Sequence, residues 1–190
     1  MKKERMEYIN KLYKKNPNTG DYVIEVDLNS YVEIFNEWDH SSYKRRDISP
    51  DLTKFLEECS NDIPERFNLE ISFYLPNEIR DENKEKIITE GIKTCYDFYA
   101  HFEQRKLNSN YKRMINSVFI SFILLLFYFI FTTRIRLIIW EAFAQGFLVG
   151  GWVFMWEAIS FFFFGRVEIK SIIRNYERLR DARISFAYSK

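Results

Sequence analysis

Apolar and polar residues follow three rhythms along this 190-residue chain. Tyr22–Leu28 (YVIEVDL) and Phe67–Leu75 (FNLEISFYL) alternate apolar with polar positions, the period-two pattern of half-buried strands. Between them Ser49 is placed as the cap of a helix that has Pro50 at its first position and runs to about Ser60. Asn61-Asp62-Ile63-Pro64 ends that helix. From about Asp81 to Lys106 the residues Ile88, Ile92, Cys95, Tyr99 and Phe102 recur every three or four positions, which predicts a long helix with one apolar stripe. Asn108-Ser109-Asn110 either interrupts it or is passed through. Two runs then lose all periodicity: Met114–Thr133 and Ala142–Phe164 are apolar on every face. Beyond them Glu168–Arg180 reads as a charged helix and Arg183–Tyr188 (RISFAY) as a third strand. Met1–Lys15 is charged, a short helix or a loose arm, and Trp38–Pro50 is polar and irregular.

A helix needs about 20 apolar residues to cross the hydrocarbon core of a bilayer, and both uniform runs meet that length. A domain this small cannot surround two helices that are apolar all round, so two spans are expected rather than two core helices. Positive charge near the span ends predicts their direction. Arg105, Lys106, Lys112 and Arg113 precede the first span; Arg166, Lys170, Arg174, Arg178 and Arg180 follow the second; the connection Thr132–Glu141 holds only Arg134 and Arg136. Both termini are therefore expected in the cytoplasm of a multi-pass protein of the cell membrane, with Trp140 at the outer interface. No apolar run follows Met1–Arg5, so no secretory signal is read there.

The resulting expectation is an α+β protein: a small cytoplasmic β-α-β-α domain over residues 1–110, completed by a C-terminal strand, plus a two-helix transmembrane hairpin over residues 111–165. Its spans cover about 114–133 and 142–164, and residues 166–190 pack back on the domain. Composition adds little. The chain is 29% charged with a mean hydropathy of −0.31, an average that hides the split between a charged first half and spans whose one charged residue is Glu157. A net charge of +1 gives no reason to expect nucleic acid as a partner. Cys59 and Cys95 lack CxxC spacing and read as buried, reduced thiols. There is no phosphate-binding glycine loop, HExxH, GxSxG or metal-spaced Cys/His set, so no cofactor is expected.

Two groups of residues carry candidate chemistry. Glu157 is the one charged residue in the second run, about seven residues or roughly 10 Å from its end. A carboxylate there costs about 2.5–3.5 kcal/mol to insert and is usually turned toward protein or water. Ala142, Gly146, Gly150, Val153, Glu157 and Ser160 form one stripe at steps of three and four, and Gly146-x-x-x-Gly150 has the spacing that lets helices approach closely. Counted from the ends of the two runs, Ser121 lies level with Glu157. The structural reading is a protonated Glu157 bonded to Ser121 or to a neighbouring subunit; the functional one is a ring of Glu157 carboxylates lining a cation path. The second group is Trp38, Asp39, His40, Lys44, Arg45, Arg46 and Asp47, which suits an anion or a protein partner. An Asp39–His40 pair would also suit acid–base chemistry, although no nucleophile is identifiable nearby. Its structural reading has Trp38 in the core and Arg46 paired with Asp47 or Asp51.

Several short segments resemble a family of uncharacterised bacterial membrane proteins with two spans and a cytoplasmic N-terminal domain. They are Trp38-Asp39, Arg45-Arg46-Asp47 with Pro50-Asp51-Leu52, Ile63-Pro64, Leu75-Pro76, Gly151-Trp152-Val153, Met155-Trp156-Glu157 and the basic helix beyond. The resemblance implies a fold and a topology but no activity. Three functions remain in view, in this order: a self-associating, membrane-anchored interaction or regulatory module with a cytoplasmic protein partner; a homo-oligomeric pore lined in part by Glu157 and Gln145; and an enzyme using Asp39 and His40. The bilayer itself is the expected partner in each, with basic residues near the inner leaflet suited to anionic lipid.

Overall fold

The computed structural model describes residues 2–134 and 138–189. Its elements run α1 (Lys2–Leu12), β1 (Lys14–Lys15), β2 (Tyr22–Asp27), α2 (Pro50–Asp62), β3 (Leu69–Pro76), α3 (Glu82–Arg134), α4 (Ile138–Ser160), α5 (Arg166–Asp181) and β4 (Arg183–Ser189). A π-helical turn, Phe161–Gly165, joins α4 to α5. Two compact units result, one from Met1–His101 with Ile173–Lys190, the other from Phe102–Ile172. The connection carrying Arg134, Arg136 and Trp140 lies outside the residues whose side chains are described.

The first unit is built on a four-stranded mixed sheet in the order β1-β2-β3-β4. β1 pairs antiparallel with β2, whereas β2 with β3 and β3 with β4 are parallel. Alternation was expected of both central strands, and only β2 keeps it. β3 is buried at nearly every position, because a strand with parallel neighbours on both sides is covered on both faces. Glu70 and Ser72 are both buried, and Glu70 accepts bonds from Asn16 Nδ2 at 2.6 Å and Ser185 Oγ at 3.0 Å. Burying that carboxylate without donors would cost several kcal/mol.

The apolar stripe of α3 also differs from its expected course. Ile88, Ile92, Tyr96 and Ala100 are buried along it, with Cys95 and Tyr99 half-buried beside them and Phe102 exposed. Steps of four make the stripe slant round the helix, so Tyr96 replaces Cys95 at its centre. Asn108–Asn110 does not interrupt α3. Pro50 opens α2 as expected, but the Ser49 hydroxyl makes no capping bond. Ser49 instead ties its backbone N–H to Ile34 O, next to the single bridge Phe35–Ile48.

Arg178 of α5 holds the connection between α2 and β3. Its guanidinium donates to the carbonyls of Ser60 (2.7 Å), Ile63 (2.9 Å), Pro64 (3.2 Å) and Phe67 (2.8 Å). Burial pushes its pKa down, and four carbonyl dipoles stand in for the water it loses. Arg180 one turn-face away bonds Asp97 of α3 at 3.1 Å, and Tyr176 lies against Tyr96 and Tyr99. A lysine cannot reproduce the planar fork. Arg178→Lys is expected to destabilise the chain by about 1–3 kcal/mol, lowering the melting temperature of the detergent-solubilised protein by several degrees, about 2–4 °C per kcal/mol. An unchanged melting temperature would remove this role.

Candidate functional site

The loop between Phe35 and Ile48 is closed at its base and ordered by two aspartates. Asn36 N–H donates to Asp47 O at 2.8 Å, and Arg46 donates through Nε and Nη2 to Asn36 O at 3.3 and 3.1 Å. Asp39 accepts from the Asp47 N–H at 2.8 Å and from the Ser41 N–H at 2.9 Å. These bonds hold the Asp39 carboxyl down at about 2. Asp47 Oδ1 accepts from the Tyr99 hydroxyl, the Cys95 thiol at 3.3 Å and the Ile48 N–H at 3.1 Å. Burial, with Asp47 beside it, pushes the Cys95 thiol up to about 11, and burial likewise raises Tyr99. Neither group is an activated nucleophile.

Three expectations for this loop are corrected. Trp38 does not fill the core; it is 94% exposed. Asn36 Oδ1 accepts the Trp38 N–H at 3.0 Å and turns the chain outward, while Phe35 and Ile48 take the core positions and Tyr43 stacks beside Phe35. Arg46 bonds a backbone carbonyl rather than Asp47 or Asp51. Asp39 spends both oxygens on backbone N–H groups, so it does not orient His40, which is exposed. Both cysteines are free, Cys59 buried and Cys95 only partly so. A space of about 400 Å³ remains between the loop and α3, lined by Lys44, Arg45, Asp47, Cys95 and Phe98 among others.

The loop rests on α3 at Gly91, where an added Cβ would strike the Tyr43 carbonyl oxygen. The backbone cannot yield as a side-chain tip can, so Gly91→Ala is expected to raise amide exchange across residues 36–47.

In the second unit the register of the hairpin is fixed at Gly151. A Cβ there would sit 2.8 Å from Leu125 Cγ, and Ser121 Oγ donates to Gly151 O at 2.7 Å. Among the described residues of α4, Ala144, Gly151 and Ala158 are the buried ones, seven apart, and Gly151 meets Ser121 of α3. This corrects the expected stripe. Gly150 only touches Leu124, Gly146 has nothing within 4 Å and Val153 is exposed. Ser160 is half-buried at the end of α4. The Gly146 face thus points away from α3.

Glu157 is corrected too. Ser121 is committed to Gly151, and Glu157 lies six residues further along α4, so its partner stands one turn earlier on the antiparallel helix. Ser117 Oγ donates to Glu157 Oε2 at 3.2 Å, and Arg113 Nη2 lies 2.9 Å from Oε1. Within the hairpin the carboxylate thus faces the Arg113 guanidinium and the Ser117 hydroxyl rather than Ser121. The Glu157 side chain is 42% exposed and that of Arg113 76%. A space of about 180 Å³ adjoins the pair. The sequence reads Arg113 as a topology charge and as one of the basic residues suited to anionic lipid; its place four residues before Ser117, on the same helix face, is the signal for the pair.

Among the described residues no cluster of three or more His, Cys, Asp and Glu is arranged to hold a metal ion. Compared with models of known protein families, with curated proteins and with solved structures, the chain matches none.

The pH dependence of the loop follows from Asp39. Its folded pKa is depressed from 3.8 to about 2, so its ordering contribution is complete above pH 4 and is lost as pH falls through 2. Hydrogen exchange of residues 36–47 is expected to rise over that window in the wild type. Asp39→Asn should exchange faster already at neutral pH; wild-type protection unchanged at pH 2 would contradict the assignment.

Proposed function

We propose that the chain is a membrane-anchored interaction module of the cell membrane, whose hairpin crosses the bilayer twice and leaves both termini in the cytoplasm. The observation that carries this reading is the outward surface of the two long helices. Each is long and apolar enough to cross a membrane, yet only 11% of each apolar window is buried. A soluble core helix hides such a window; these present Phe119, Phe122, Phe129, Trp152 and Trp156 outward. Exposure of that much apolar area to water is untenable for a folded monomer, whereas lipid accepts it at no cost. The basic flanks support the inward direction of both ends, and they suit anionic lipid at the inner leaflet.

Self-association is assigned to the Gly146–Gly150 face. The tightest internal contact of the hairpin is at Gly151, and Gly146, with nothing within 4 Å, is left for a second copy, Gly150 lying at the margin of that face beside Leu124. Trp38, exposed on a loop held by Asp39 and Asp47, is the proposed contact for a cytoplasmic protein, since an ordered, protruding tryptophan is a common anchor of interfaces. The pore reading is disfavoured by the Arg113–Glu157 pair, which uses the carboxylate inside one hairpin. The enzyme reading loses its dyad, because Asp39 is engaged elsewhere. Kinship with bacterial two-span proteins remains part of the proposal on the segments that resemble them.

Two measurements test it. Labelling of single cysteines introduced at residues 38 and 186 in intact cells is expected only after permeabilisation; labelling from outside reverses the topology. Light scattering of the purified protein, corrected for detergent, is expected to give a dimer that Gly146→Leu converts to monomer. A monomeric wild type removes self-association. Four or more subunits, with ion flux altered in Glu157→Gln, would replace the anchor by the pore.

A further inference from the structure

The polar end of the hairpin combines features that point to a specific ligand. The space of about 180 Å³ is lined by Asn110, Arg113, Met114, Ser117, Glu157 and Phe161, all within the second unit. It lies at the boundary where the uncharged run Met114–Thr133 begins, the level of lipid headgroups if this run crosses a bilayer. Arg113 and Glu157, paired with each other at 2.9 Å, give it a positive and a negative side, and both side chains are exposed enough for each to take a second partner of opposite charge. The π-helical turn at Phe161–Gly165 widens the helix beside it, and Phe161 is braced edge-on by Tyr111 at 5.5 Å. An expanded turn of this kind often marks a site.

The charges select among headgroups. A free anion attracted to Arg113 meets the Glu157 carboxylate, and a simple cation attracted to Glu157 meets Arg113. A group carrying both signs gives each wall an opposite charge. The negative wall also consists of hydrogen-bond acceptors, Glu157 with the Ser117 hydroxyl, which favour an ammonium bearing N–H donors over a quaternary one that has none. The positive wall is a guanidinium, whose fork suits phosphate. Met114 and Phe161 supply apolar surface for the start of the acyl region. We propose that this space binds the phosphoethanolamine headgroup of a phospholipid, with phosphate on Arg113 and ammonium on Glu157 and Ser117. The assignment rests on the membrane reading above.

The test uses the full chain released from detergent micelles into native mass spectrometry, titrated with phosphatidylethanolamine, phosphatidylcholine and phosphatidylglycerol of identical acyl chains. The wild type is expected to retain one phosphatidylethanolamine per protomer about tenfold more tightly than phosphatidylcholine, the size of one charge-assisted hydrogen bond. Glu157→Gln should abolish that preference, while Arg113→Gln should weaken both lipids. Equal retention of the ethanolamine and choline lipids by the wild type overturns the proposal without recourse to any variant. So does tighter binding of phosphatidylglycerol, which would reduce the site to anion attraction. Soluble phosphoethanolamine binding as tightly as the lipid would overturn the lipid assignment. Failure of the membrane reading looks different: the chain would stay monodisperse in water without detergent, and retain no lipid of any class.

Discussion

The parallel pairing of β4 with β3 governs the rest of this structure. Parallel neighbours cannot be joined by a tight turn; the chain must leave one end of the sheet and return to the other. In most folds a single helix makes that crossing. Here the connection holds α3, α4 and α5, and with them every residue of the second unit. The two long helices are therefore an insertion into a closed sheet rather than an appendage at its end. Both ends of the insertion begin and finish in the first unit, and Arg178 and Arg180 of α5 bind the returning chain to the α2–β3 connection and to α3.

Electrostatics in the two units follow one rule at different depths. Four charges, buried or partly exposed, are each met by a group of defined geometry: the Arg178 guanidinium by backbone carbonyls, Glu70 by an amide and a hydroxyl, Asp39 by backbone N–H groups, Glu157 by a guanidinium and a serine. None of these arrangements leaves a reactive group. Cys95 is held as a thiol by burial, and Asp39 is kept ionised but fully engaged.

The sequence made the regular elements legible where a single force dominates. β2, the proline-led α2 and the two long apolar helices each follow from one periodicity or from its absence. It misled where two forces compete. The alternating pattern puts Glu70 and Ser72 on a solvent face, but flanking parallel strands bury both, Glu70 with Asn16 and Ser185 as donors. Trp38 read as core on hydrophobicity, although Asn36 turns the backbone so that Phe35 and Ile48 fill that space. The level of Glu157 was counted from the ends of apolar runs, whereas the register is set at Gly151 by a contact that only packing reveals. β1, two lysines long, carries no apolar pattern and owes its existence to the neighbouring β2.

The position of β4 in the chain also imposes an order on biosynthesis. Until both long helices have been made, the sheet is three-stranded and β3, its most apolar strand, has a bare edge. An unpaired apolar edge is a template for aggregation. The nascent domain must carry that liability through the whole synthesis of the hairpin. Completion of the sheet waits on the return of the chain, because β4 pairs with β3 only after α5 has been made. A chain whose second helix failed to turn back would keep its edge open and present itself to the proteases and chaperones that survey unfinished proteins.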